Sequence, residues 1–140
     1  MSYTFPSDEW IAAFKDQINS NEEYKQSGAT WEAGDICFVI NGKPEAGLTE
    51  DYHIWLDLYH GECRDAKSVD AATAAQAKFM ITADYGRWQQ VLKGELDPMT
   101  GIMMGQVKVK GDLMTLMRYT KAAKDLIHCA ALVPSQFLGQ

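Results

Sequence analysis

Trp10, Ile11, Phe14 and Ile18 recur every three to four residues behind Ser7, Asp8 and Glu9. That spacing predicts an amphipathic helix. Ser7 would cap it and the two acids would lie at the positive end of its dipole. A short second helix is predicted from Glu22 to Ser27, ended by Gly28. The period then changes from helix to strand. Within Trp31 to Ile40, Ile36, Phe38 and Ile40 alternate with Cys37 and Val39, so both faces are apolar and the strand should be covered on both sides. Asn41-Gly42 is a turn signal. After a Pro/Gly loop, Tyr52 to Tyr59 alternates again, with Ile54, Leu56 and Leu58 on one face and His53, Trp55, Asp57 and Tyr59 on the other. Gly61 precedes a further strand around Cys63 to Val69, and Ala71 to Ala77 reads as a short helix or turn before a strand at Lys78 to Thr82.

In the second half, aspartates punctuate the chain. Asp84 is placed to cap a helix that turns Trp88, Val91 and Leu92 inward, with Gly94 ending it. Asp97-Pro98 repeats the signal, cap then proline at the first helical position, for a helix bearing Met99, Ile102 and Met103 and closed by Gly105. Val107 and Val109 alternate with Lys108 and Lys110, the pattern of an edge strand whose lysines discourage further pairing. Asp112 should cap a last helix, in which Leu113, Leu116, Met117, Thr120, Ala123, Ile127, Ala130 and Ala131 keep helical spacing. Running unbroken to Leu132, it would be on the order of 30 Å long.

Composition changes this picture in two places. Five of the seven methionines fall between Met99 and Met117, and clustered methionine suits walls that adapt to apolar guests, although core alone also explains it. The net charge of -6, from 13 Lys+Arg against 19 Asp+Glu, offers no basic stripe for nucleic acid. A local basic group, Lys108, Lys110, Arg118, Lys121 and Lys124, nevertheless adjoins the methionines. Cys37, Cys63 and Cys129 are far apart with no C-x-x-C pair, which points to neither zinc nor disulfides and fits a reduced, cytoplasmic protein. The N-terminus lacks the basic and apolar regions of a secretory leader, and no apolar run reaches about 18 residues. One domain is expected over residues 1–140, with 1–28 a helical segment packed on it.

The run Ile81-Thr82-Ala83-Asp84, Trp88, Leu92, Gly94, Asp97-Pro98-Met99, Ile102-Met103-Met104-Gly105 and Val107-Lys108-Val109-Lys110-Gly111-Asp112, followed by an amphipathic helix, resembles the sterol carrier protein type 2 family. The match is good over Lys78 to Ala131 and loose before Tyr52; the stand-alone form resembles the bacterial branch. The resemblance implies an α/β fold, a five-stranded, mostly antiparallel sheet covered by helices and enclosing a hydrophobic tunnel. It also implies non-catalytic binding and transfer of a fatty acid, acyl-CoA or similar lipid, without a cofactor. The peroxisomal address of eukaryotic members does not carry over, because this chain ends Phe137-Leu138-Gly139-Gln140.

Candidate lining residues are Phe38, Trp55, Phe79, Ile81, Trp88, Leu92, Met99, Ile102, Met103, Met104, Leu113, Met114 and Met117. Arg118 and Lys121, with Lys110 behind them, are candidate anchors for a head group. Phe137 and Leu138 either cap one mouth or fold back as a tail. Burying about 14 methylenes at about 0.8 kcal/mol each gives roughly 11 kcal/mol, against association costs of about 4 to 15 kcal/mol, so the energetics permit a carrier.

Two other classes compete. Trp10, Trp31, Trp55 and Tyr59 would suit a protein-interaction or dimerisation module that uses the same groove without lipid. Membrane contact would be transient at most, and homodimerisation is left open. Catalysis finds little support. His53 and Asp57 share a strand face roughly 13 Å apart. His60 near Cys63, and His128 beside Cys129, point in different directions. No G-x-S-x-G, H-E-x-x-H or phosphate-loop pattern occurs.

Overall fold

The computed structural model describes residues 2–138. Strand β1 (Tyr3–Phe5) leads into α1 (Asp8–Ser20), where the Ser7 hydroxyl accepts from the Trp10 N–H and Trp10, Ile11, Phe14 and Ile18 are buried as their spacing predicts. Burying four such side chains is worth a gross 6–12 kcal/mol or so, before entropy. Next come α2 (Glu22–Ser27), β2 (Ile36–Asn41), a 3₁₀ turn at Pro44–Ala46, β3 (Tyr52–Tyr59), β4 (Glu62–Ser68) and α3 (Ala71–Ala74). The second half contains β5 (Phe79–Asp84), α4 (Tyr85–Leu92), α5 (Pro98–Met103), β6 (Lys108–Lys110), α6 (Leu113–Arg118), α7 (Thr120–Leu132) and β7 (Ser135–Phe137).

Five strands form one sheet in the order β4-β3-β2-β5-β6. All neighbours are antiparallel except β2 and β5, which run parallel with Ile36 opposite Phe79 and Ile40 opposite Ala83. The crossover between them follows from the β3–β4 hairpin and α3, since parallel strands cannot be joined by a tight turn. One face carries Ile36, Phe38, Ile40, Ile54, Leu56, Leu58, Phe79 and Ile81 into the main core beneath α1, α4 and α7. The other face carries Cys37 and Val39, which pack with Ala74, Ala77, Trp55, Val69 and Met80. This two-sided cover explains why β2 reads apolar from Ile36 to Ile40.

Two features depart from the sequence expectation. The last helix is broken: Tyr119, at φ -109 and ψ 33, separates α6 from α7. Its ring meets Trp31 edge-on at 5.0 Å, and its hydroxyl donates to the Thr30 carbonyl at 3.0 Å. These long-range contacts set a backbone angle that local propensity alone would keep helical. The chain ends also pair. β1 and β7 form a parallel two-stranded ribbon, held to α1 by the Trp10 indole N–H donating to the Ser135 hydroxyl at 2.8 Å. Phe137 is thereby buried against Phe5, and the Leu138 N–H donates to the Tyr85 hydroxyl, so this tail folds back onto the core.

Candidate functional site

The space between the sheet and α7 is the natural place for an apolar guest, because α7 turns alanines inward where larger side chains would close the gap. Ala122, Ala123 and Ala130 are buried, and Leu126 and Ile127 stand between them along the helix. Two small apolar voids lie under this helix. One, of about 10 Å³, is bounded by Ile81, Ala83, Trp88, Val91, Pro98, Val107 and Ile127. The other, also about 10 Å³, is bounded by Tyr24, Trp31, Ile36, Leu116, Tyr119, Ala122, Ala123 and Leu126. Neighbouring residues of α7, Leu126 and Ile127, thus face different voids. Ile36, in the wall of the second void, lies two and four residues in register from Ile81 and Ala83, in the wall of the first, so the voids border different stretches of the sheet.

The interior expected as a tunnel is therefore two separate voids, each about large enough for one water. Pockets that bury a small ligand have volumes of about 300–1,000 Å³. Neither void is large enough for an acyl chain as it stands. Outside the first void lies an open cleft of about 440 Å³ between the α4–α5 connection, α2 and α7. Val91, Pro98 and Ile127 belong to both the cleft and the void. The wall between solvent and core is one side chain thick there, and α5 supplies part of it. α5 is bracketed by Gly94 and Gly105, both at φ +76 with open space where a Cβ would be, so these glycines serve backbone conformation alone. Gln106, just beyond, holds its side-chain oxygen buried without a donor among the described residues.

The rim of the cleft is of mixed sign. Lys124 and His128 are exposed there, opposed by Glu23, Asp97 and Asp125. Asp125 is already engaged, accepting from the Ser27 hydroxyl at 2.7 Å and from Lys121 at 2.9 Å. That bond, first among the causes, holds the Lys121 ammonium above its ordinary value. Arg118 is exposed and donates to the Thr115 hydroxyl at 3.2 Å, beside a shallow hollow that also contains Glu32 and Tyr119. The two cations singled out as head-group anchors thus belong to different surroundings.

The candidate lining residues divide in the same way. Ile81 and Trp88 border the first void. Phe38 is buried between Phe14 and Trp88, while Phe79 packs on Trp31 and Leu92 is part of the core. Met99 and Ile102 are half-buried on α5. Trp55 lies on the opposite sheet face, its N–H bonded to Asp35 and its ring under Lys67. Met103, Met104, Leu113, Met114 and Met117 are exposed, Met103 by 84%. Sequence reasoning missed Val107, Pro98, Ile127 and the α7 alanines as void neighbours. The signal was present as small residues on the inner stripe of α7, but small residues also mark ordinary close packing. Of the aromatics cited for an interaction module, Trp10 and Trp31 are core and Tyr59 is exposed.

The three cysteines are not poised as nucleophiles. Burial pushes the thiols of Cys37, Cys63 and Cys129 up to about 12, away from the thiolate a nucleophile requires. His60 pairs with Glu32 at the surface. Among the described residues no three His, Cys, Asp or Glu side chains converge as metal ligands, and no helix is long and apolar enough to cross a membrane.

The same fold recurs in known proteins. The pattern of the SCP-2 sterol transfer family matches residues 11–124. The chain belongs to that family. A crystal structure of sterol carrier protein 2 is 35% identical, with a TM-score of 0.83 over 91% of this chain and 97% of its own. A solution structure of a conserved hypothetical protein from Thermus thermophilus, described as a possible sterol carrier protein, is 33% identical, with a TM-score of 0.83 over 100% of this chain and 97% of its own. A fatty acid-binding protein of Yarrowia lipolytica is 27% identical over 100 residues, 71% of this chain and 74% of that protein. Membership in this family and the fatty acid-binding relative support lipid binding and transfer as the class of function.

Proposed function

We propose that this chain is a non-catalytic carrier that holds one acyl chain in the layer between its sheet and α7. The observation that carries the reading is the pair of apolar voids aligned under α7, one of them separated from an open cleft only by Val91, Pro98 and Ile127. Outward movement of α5 about Gly94 and Gly105 would join cleft and void, and displacement of the side chains between the voids would extend the space toward Tyr119. Methylenes entering this layer gain about 0.8 kcal/mol each.

The head group remains at the cleft, where Lys124 and His128 can meet a single carboxylate. Glu23, Asp97 and Asp125 at the same rim disfavour the several charges of a coenzyme A moiety. A free fatty acid or a neutral lipid is therefore the preferred guest. A cytoplasmic location belongs to this reading, supported by three unpaired, buried cysteines.

Titration with palmitate and palmitoyl-CoA tests it. Palmitate should bind more tightly. Ala83→Leu and Ala123→Leu each extend a side chain into one void, and each should weaken palmitate binding by about tenfold, provided melting remains cooperative. Unchanged affinity in both variants would place the guest elsewhere.

A further inference from the structure

Tyr119 is the one residue that bounds both the second void, under α7, and the surface hollow of about 500 Å³ beside α6. The other walls of the hollow, Thr30, Glu32, Ala33, Thr115 and Arg118, do not reach the void. A single half-buried ring thus separates an apolar interior from a polar exterior. The ring is held across the fold. Its hydroxyl donates to the Thr30 carbonyl at 3.0 Å, lies 3.1 Å from the Thr30 hydroxyl, and its edge meets Trp31. Trp31 is fixed in turn, its indole N–H donating to the Gly34 carbonyl at 2.9 Å and its own carbonyl accepting from the His60 N–H at 3.0 Å. Because the Tyr119 hydroxyl is turned to the exposed Thr30, the ring offers carbon to the void. Tyr24, Trp31, Ile36, Leu116 and Leu126, around the same void, are all buried, so none of them separates it from solvent as Tyr119 does.

We infer that Tyr119 is the end stop of the acyl site and sets the longest chain that the protein accepts. The inference rests on the reading that one acyl chain lies between the sheet and α7 with its head group at the cleft, so that its methyl end points toward Tyr119. Each methylene that finds apolar room is worth about fourfold in affinity. Once the methyl end meets the ring, further methylenes find no room and the gain stops. Shortening Tyr119 joins the void to the hollow, and the stop becomes a second mouth. Arg118 stands there, donating to the Thr115 hydroxyl at 3.2 Å and making no ion pair among the described residues. A guest with a carboxylate at each end would then meet a cation at both, Lys124 at the cleft and Arg118 at the hollow. With Tyr119 in place, the second carboxylate of such a guest would have to be buried among apolar side chains, which is costly.

Titration of the full chain with saturated fatty acids from laurate to behenate, and with hexadecanedioate, tests it. Affinity of the parent should rise with chain length and then level off or fall. In Tyr119→Leu and Tyr119→Ala the rise should continue, so that the shortest acid past the parent's limit binds about tenfold more tightly than it does to the parent. Tyr119→Phe keeps the ring and should keep the parent's profile. Hexadecanedioate should bind the parent at least about tenfold more weakly than palmitate, and that difference should shrink in Tyr119→Ala. Circular dichroism melting verifies the fold of each variant, and Tyr119→Leu, which retains apolar volume at the junction of α6 and α7, carries the test if Tyr119→Ala melts without cooperativity. The inference is overturned, and the carrier reading left standing, if the truncated variants keep the parent's length profile or if the parent's affinity climbs through the longest acid. A parent that binds no fatty acid of any length overturns both.

Discussion

Gly101 sits so close to Val107 that a Cβ added to the glycine would lie 2.8 Å from the valine Cγ2. That contact seats α5 against the edge of the core, and the same added atom would meet the Leu96 Cδ2 at 3.5 Å. Valine is stiff at χ1 and cannot easily turn away.

Gly101→Ala should therefore push α5 outward. Overpacking costs about 1–3 kcal/mol and the better helix propensity of alanine returns up to about 1, so urea denaturation should show a net loss of about 1–2 kcal/mol. Amide exchange should accelerate over Pro98 to Met104. Both association and dissociation of bound palmitate should quicken in stopped flow, because the wall that includes Pro98 is less firmly held.

Gln106→Met should do the opposite. Its buried side-chain oxygen lacks a donor, and replacing it with an apolar side chain of similar shape removes that penalty. An increase in unfolding free energy of about 1 kcal/mol is expected from chemical denaturation, with slower palmitate association.

Trp88 donates its indole N–H to the buried Val39 carbonyl at 2.9 Å and packs on Phe38. Trp88→Phe should cost about 1–3 kcal/mol, mainly the unpaired carbonyl, whereas Trp88→Ala should cost about 3–5 kcal/mol through the cavity it leaves. An unchanged stability of Trp88→Phe would show that the hydrogen bond contributes nothing, and equal losses in the two variants would show that the cavity adds nothing beyond it.

The three buried thiols predict an alkaline limit to stability. Their folded pKa values are raised by burial to about 12, against about 9 in the unfolded chain. The folded state therefore holds more protons across that interval. Stability is fully present below about pH 9 and is lost between about pH 9 and 12, by about 1.4 kcal/mol per pH unit for each thiol. Tyr24, raised by burial and then by Cys63 and Cys129, adds to the loss at the upper end. Urea midpoints measured against pH should fall in this window, and a thiol reagent at pH 8 should label Cys37, Cys63 and Cys129 only on unfolding.

Much of the fold was legible because local chemistry and global packing agree. α1 announces its buried face through Trp10, Ile11, Phe14 and Ile18, and β3 shows its bounds, Tyr52–Tyr59, through unbroken alternation. The break at Tyr119 was not legible, since the residues that hold it, Thr30 and Trp31, lie far away in sequence. Nor was the β1–β7 ribbon, which joins the two ends of the chain with only three residues in each strand. Of the candidate lining residues, Ile81 and Trp88 border a void, but methionine composition cannot distinguish a wall from a surface. Met103 on α5 and Met114 on α6 are both exposed. Val107 and Ile127 read as ordinary core residues, and only the folded structure puts them beside the first void.

Native mass spectrometry of the freshly purified protein, followed by organic extraction and palmitate titration, tests the central claim most directly. A stoichiometric adduct of a few hundred daltons, identified as a fatty acid or neutral lipid and displaced by palmitate, is the predicted result. A clean protein mass that remains unchanged on addition of palmitate or palmitoyl-CoA would contradict the account.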